Sequence, residues 1–313
     1  LTYASARTAS LDAASQCDCK SNFDGRCSNG RYSDGRCSDG RCSDGSCWDG
    51  RCSDGRCSGG RCSDVNNSAL PAVGIDGCRA GWIVAYRHEG CVALRLFTSL
   101  AALNERLASD ASVMIDMPIG LHVADSVRQC DVLARRCLSP YRSTSVFGVP
   151  PRPITRIGDY AEANAASHEL TGKGLSKQSF YLFPKIREVD DWLINEHRRG
   201  RWSECHPEVA FASLNGGLPL EESKKTDLGR QQRIDLLREV GDVDGCLATA
   251  LEMYPRRALL ADDCVDALVC LLTAERPPSE RIAIPDNAFH DARGLAMQIV
   301  APAVKLTGDF ERG

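Results

Sequence analysis

The stretch Val73-Gly74-Ile75-Asp76-Gly77-Cys78-Arg79-Ala80-Gly81-Trp82-Ile83-Val84-Ala85 constrains the fold of this chain more than any other. An apolar run ends in one carboxylate, turns on glycines and resumes as a second apolar run. Short apolar segments bounded by turn residues read as buried strands, and Gly77 and Gly81 frame a hairpin between them. A carboxylate at the tip of a buried strand is costly to desolvate unless something uses its charge. Beside other acids, Asp76 would hold a divalent cation through oxygen ligands.

Partners for Asp76 come from the chain that follows. Residues Ile83–Tyr86 continue the second strand, Cys91–Phe97 alternates as a third, and Leu100–Leu107 has helical spacing. Ser112–Met117 is another buried strand, ending in Asp116 before Pro118 and Gly120 break it. Strand–strand–strand–helix–strand, with acids at the first and fourth tips, predicts an α/β sheet with mixed pairing.

Further on, an amphipathic helix is predicted over 126–138, then a Pro- and Ser-rich irregular segment over 139–155. Helices follow at Tyr160–Leu170 and at Gln178–Glu196, the latter interrupted at Pro184. A short strand runs to His206, and Pro207 opens a helix with Glu208 in its first turn. Ser223-Lys224-Lys225-Thr226 leads into the helix of Gln231–Val240, and Leu295–Ala301 is expected as an edge strand.

The last strong signal is Asp262-Asp263-Cys264-Val265-Asp266-Ala267-Leu268, the acidic start of an apolar helix ending near Ala274. Asp263 and Asp266 share a face. Capping explains Asp262 or Asp263. It does not explain Asp266, which precedes an almost unbroken apolar run. For Glu208 a favourable place in a first helical turn is the plainer role. His206 fits a structural histidine, a phosphate contact or a proton carrier.

Between residues 135 and 187, nine Lys/Arg face three Asp/Glu. A solvated basic face explains this as simply as a phosphate-facing wall; in the second reading Arg142, Lys173, Lys177, Lys185 and His206 contact phosphate.

Composition separates the first 69 residues from the rest. Residues 24–64 repeat Asp-Gly-Arg-Cys-Ser at a period that is neither helix nor strand, with almost no apolar residue besides cysteine. Such a segment buries no core, so 1–69 is expected to be disordered; a thiol-rich metal tail is the other reading. Nine of the 17 cysteines lie there, and the other eight are scattered singly, as in reduced cytoplasmic proteins. A net charge of -4 marks no nucleic-acid or membrane surface, and no apolar run is long enough to span a bilayer.

The ordered motifs of residues 73–300 resemble the family called domain of unknown function 429, described as a predicted nuclease of ribonuclease-H-like fold. The resemblance rests on Gly74–Trp82, Ile115–Leu121, Cys130–Arg136, Arg142–Phe147, Gly172–Gln178 and Leu182–Asp190. His206–Phe211, Ser223–Thr226 and Asp262–Leu268 complete it. It implies a ribonuclease-H-like mixed sheet with flanking helices over 70–313, its first three strands antiparallel, and a helical insertion near 140–225. It also implies acids on the first strand, near the fourth, and on a late helix, the places of Asp76, Asp116 and Asp263 or Asp266.

The expected function is a metal-dependent phosphodiester hydrolase acting on nucleic acid or nucleotide. Asp76, Asp116 and Asp266 would ligate Mg²⁺ or Mn²⁺, with Asp263 or Glu208 as a further ligand or base. The rivals are an actin/hexokinase-like nucleotide phosphotransferase and a non-catalytic nucleic-acid or nucleotide binder.

Overall fold

β1 (Leu70–Cys78) and β2 (Gly81–His88) form the expected hairpin, reversing at Arg79-Ala80. The reversal needs a glycine: Gly81 has φ 147°, and a Cβ there would lie 2.1 Å from the Phe97 carbonyl oxygen. β3 (Cys91–Phe97) pairs antiparallel with β2. Helix α1 (Leu100–Asn104) then starts at Ser99, whose hydroxyl accepts from the Ala102 N–H. β4 (Leu107–Ile115) returns parallel to β1.

This computed structural model describes residues 69–123, 126–195 and 201–303, and the backbone of 32–33 and 36–37. By contacts the chain divides into Leu1–Asn67 and Ser68–Gly313. In the first unit, Tyr32–Ser33 and Arg36–Cys37 pair antiparallel. The expected disorder or thiol-metal role of the cysteine repeat otherwise lies outside the described residues.

After β4 come α2 (Gln129–Cys137), α3 (Arg152–Thr155), α4 (Tyr160–Thr171), α5 (Lys177–Tyr181) and α6 (Phe183–Asn195). β5 (Trp202–Glu204) re-enters the sheet. Helices α7 (Pro207–Leu214), α8 (Asp227–Leu236), α9 (Val243–Met253) and α10 (Ala261–Glu275) follow, then β6 (Arg281–His290) and β7 (Ala296–Pro302).

The seven strands lie in the order β3-β2-β1-β4-β5-β7-β6. The first three are antiparallel, β1-β4-β5-β7 run parallel, and β6 is antiparallel to β7. This is the expected α/β architecture, a mixed sheet with helices on both faces. On one face Val73, Ile75, Val113 and Ile115 pack with Leu100, Phe183, Ile186 and Val189. On the other, Ile83, Ala85 and Met114 pack with Phe211 and the apolar side of α10. Each fully buried Val, Leu, Ile, Met or Phe among these contributes roughly 1.5–3 kcal/mol.

Several boundaries differ from the sequence reading. The fourth strand begins at Leu107, five residues before the expected Ser112, because the exposed Ser109 and Asp110 interrupt its apolar pattern. The helix expected at 231–240 begins at Asp227, where the Thr226 hydroxyl accepts from the Gly229 N–H, and ends at Leu236. The strand expected at the sheet edge is internal: β7 lies between β5 and β6, and β6 forms the edge. The β6 sequence hides its strand character behind Pro285-Asp286-Asn287, and an edge position tolerates the proline. The span expected as a helical insertion, 140–225, also includes the sheet strand β5. Among the described residues no helix is long and apolar enough to cross a membrane.

Candidate metal centre

Two neighbouring parallel strands bring the first two acids together. Ile75 pairs with Ile115, and the Asp116 N–H donates to the Ile75 carbonyl at 2.9 Å, so Asp76 and Asp116 leave the same sheet end side by side. Strand alternation sends Val73 and Ile75 to the α6 side and Gly74 and Asp76 to the α10 side. Gly74 lets α10 approach: a Cβ on it would lie 2.0 Å from Leu271 N and 2.2 Å from Ala267 O. The first turns of α10 thereby reach the strand ends and deliver Asp266. Asp76, Asp116 and Asp266 each offer one oxygen, all within 4.8 Å of one another.

The donor set suits a hard divalent cation. Hard carboxylate oxygens are the ligands that such a cation takes. Asp266 supplies the sharpest sign of fit: its Oδ1 is buried with no hydrogen-bond partner among the described residues, while Oδ2 takes the Lys224 ammonium. Asp76 is already oriented by the Gly77 N–H, which donates to its Oδ1 at 2.6 Å.

Crowded negative charge shows in the titration of the group. Asp76 is raised well above the usual carboxylate range, by burial first and then by Asp116, Asp266 and Asp263. Asp116 is pushed up to about 8, again by removal from water and then by Asp266. Burial works to lower the Lys224 ammonium, but Asp266, with Asp76 and Asp116 behind it, holds it above its ordinary value.

The other acids singled out in the sequence do other work. Asp263 Oδ2 accepts from the Leu260 N–H at 2.9 Å, capping α10. Glu208 is buried with both oxygens on Arg233 Nη2 at 2.8 Å, across from α8. That pairing holds α7 to α8.

The expected phosphate contacts are dispersed. Lys185 lies beside the centre: its ammonium donates to the Gly81 carbonyl at 2.5 Å and stands 4.2 Å above the Trp82 ring. His206 and Asp116 both line a space of about 20 Å³, with Glu204 also in its wall. That is room for about one water. The His206 Nδ1 is buried without a partner among the described residues, and burial lowers the pKa of the ring. Lys173 is exposed on the wall of a larger cavity. Lys177 lies over Tyr160, 5.9 Å from the ring centre. Arg142 donates to the carbonyls of Leu220 and Glu221, tying two loops together.

Some site residues escaped the sequence reading. Lys224 was legible only as part of a polar loop, because nothing local announces a partner on α10. Arg128 is fully buried, donating to Asp131 at 2.8 Å, to the Ile119 carbonyl at 3.1 Å and to Glu204. Glu204 also accepts from the Ile119 N–H at 2.9 Å, which pins the turn just after Asp116. A buried arginine one residue before a helix has no periodic signature.

Neither the curated proteins nor the solved structures contain a match to the chain. The family described as "Protein of unknown function (DUF429)" matches residues 74–289, a span that starts two residues before Asp76 and encloses every residue of the centre. The match covers more than half of the sequence, and the chain belongs to the DUF429 family.

Proposed function

We propose that the protein is a metal-dependent phosphodiester hydrolase, a nuclease in the broad sense, using Mg²⁺ or Mn²⁺. The observation that carries this reading is the convergence of Asp76, Asp116 and Asp266, with oxygens within 4.8 Å of one another and one Asp266 oxygen unpartnered. Three antiparallel strands followed by a parallel fourth, with the acids at those strand ends and on a late helix, agree with a ribonuclease-H-like origin.

In this reading Asp76, Asp116 and Asp266 hold the cation. A bound divalent ion supplies Lewis acidity at a phosphoryl oxygen and an acidified water. The protein's own groups do the rest. Lys224 fixes the orientation of Asp266 and offsets part of the negative charge that would repel a phosphate. His206, its ring kept neutral by burial, stands by the water-sized space at Asp116 and can take a proton on its unpaired Nδ1. Water adds across the phosphodiester, leaving a phosphomonoester and an alcohol.

The full chain with Mn²⁺ should cleave a panel of single-stranded RNA, single-stranded DNA or dinucleotide substrates. Asp76→Asn, Asp116→Asn and Asp266→Asn should each lower the rate at least about 100-fold, the scale on which losing a key electrostatic group acts. Activity that survives Asp76→Asn overturns the assignment. An actin/hexokinase-like phosphotransferase needs a second related half, whereas the described residues of 69–303 form a single seven-stranded sheet.

A further inference from the structure

A cavity of about 560 Å³ lies between α2, the loop at 148–151 and the turn at 171–175. It shares Arg128, Asp131 and Val149 with the water-sized space at Asp116, so the two lie against the same residues. Its volume is that of a small-molecule site. Val127, Val149, Pro150 and Leu175 give it apolar walls, and Val127 is left 56% exposed there. Its charged residues are Arg128, Arg135 and Lys173 against Asp131, an excess of positive charge beside a strongly negative centre.

Two polar atoms behind this wall, Arg128 Nε and His122 Nδ1, are buried without partners among the described residues. The Arg128 guanidinium is otherwise committed to Asp131 and Glu204, so it links the cavity wall directly to the turn after Asp116. An apolar slot with cations at its rim matches a nucleoside phosphate: a flat ring between aliphatic side chains, with its phosphate near Arg135 and Lys173.

We infer that this cavity seats one nucleotide unit, either a free nucleotide or the end of a single strand, with its phosphate held by Arg135 and Lys173 and the shared Arg128 wall between it and the Asp116 space. The inference rests on the hydrolase reading for what happens next, but the seat itself needs no metal.

The test uses the full chain carrying Asp76→Asn, so that nothing turns over, in metal-free buffer. Binding is measured for a fluorescent 5′-mononucleotide, a short labelled single-stranded oligonucleotide, a duplex and inorganic phosphate. Saturable binding of the mononucleotide or of the single strand is expected, and which one binds identifies the source. Arg135→Ala with Lys173→Ala should weaken it at least tenfold. Gly148→Trp should abolish it. A Cβ at Gly148 meets nothing closer than Arg135 Nη2 at 3.9 Å, so the attachment point itself is free of clash.

No binding, phosphate binding as well as the nucleotide does, preference for duplex, or affinity unchanged in both variants overturns the seat. A parent protein that binds nucleotide but cleaves nothing with Mn²⁺ overturns the hydrolase reading and leaves the seat standing. Cleavage with no binding in the cavity does the reverse.

Discussion

Gly74 on β1 and Leu271 on α10 meet backbone to backbone, so closely that a Cβ on Gly74 would stand 2.0 Å from the Leu271 nitrogen. Asp76 is two residues beyond this contact and Asp266 a turn and a half before it. The distance between the two acids is therefore set by a missing methyl group. Gly74→Ala should force α10 outward, destabilise the fold by at least about 3 kcal/mol, and weaken metal binding out of proportion to that loss. Thermal melts with and without Mn²⁺ separate the two effects. A variant that keeps both the parent Tm and the parent Mn²⁺ shift contradicts this account of the centre.

Lys224 serves as a stand-in counter-ion for Asp266. Lys224→Met removes it and leaves a buried carboxylate unpaired; because the ammonium is about one-third exposed, the loss is discounted to about 1–2 kcal/mol. Millimolar Mn²⁺ should recover most of it, so the Mn²⁺-induced rise in Tm should be larger in the variant than in the parent. An equal rise in both would place Lys224 outside the metal's reach.

The metal-free protein should lose stability as pH rises. Burial and crowding push Asp116 up to about 8 in the fold and raise Asp76 as well, whereas the unfolded side chains titrate near the ordinary 3.8. Over the window from about 4 to about 8 the folded state holds protons that the unfolded state has released, so the stability these groups contribute at low pH falls away with rising pH. Chemical denaturation at pH 5, 6.5 and 8 checks the slope. Asp116→Asn should flatten it. A metal-free stability that climbs steadily over this range would contradict the crowding of the three acids.

Glu208 and Arg233 form a buried two-oxygen pair, and breaking one partner leaves the other charged and unsolvated. Glu208→Gln should cost about 3 kcal/mol, a fall in Tm of roughly 6–12 °C, while the Mn²⁺ affinity stays within about threefold. Calorimetric titration of Mn²⁺ into the variant decides between a fastening role and a metal-ligand role. A hundredfold loss of affinity would return Glu208 to the centre.

Local pattern alone determined the hairpin at Gly77–Gly81, the strand tips carrying Asp76 and Asp116, and the acidic start of α10. Period-two and 3.6-residue apolar spacing report which face of an element is buried, and a carboxylate that breaks such a face is visible without any partner. Tertiary structure decided the rest. Asp263 and Asp266 share a helix face, and the fold shows one capping its own backbone and the other aimed at the strand ends by the Gly74 contact. Glu208, His206 and Pro207 form one continuous signal, yet Arg233 claims Glu208 for the seam between α7 and α8. Lys224 acquires its role only because the loop before α8 folds back over α10. Ion pairs and close backbone approaches join residues distant in sequence, so their partners are chosen by packing, and packing leaves no period in the chain.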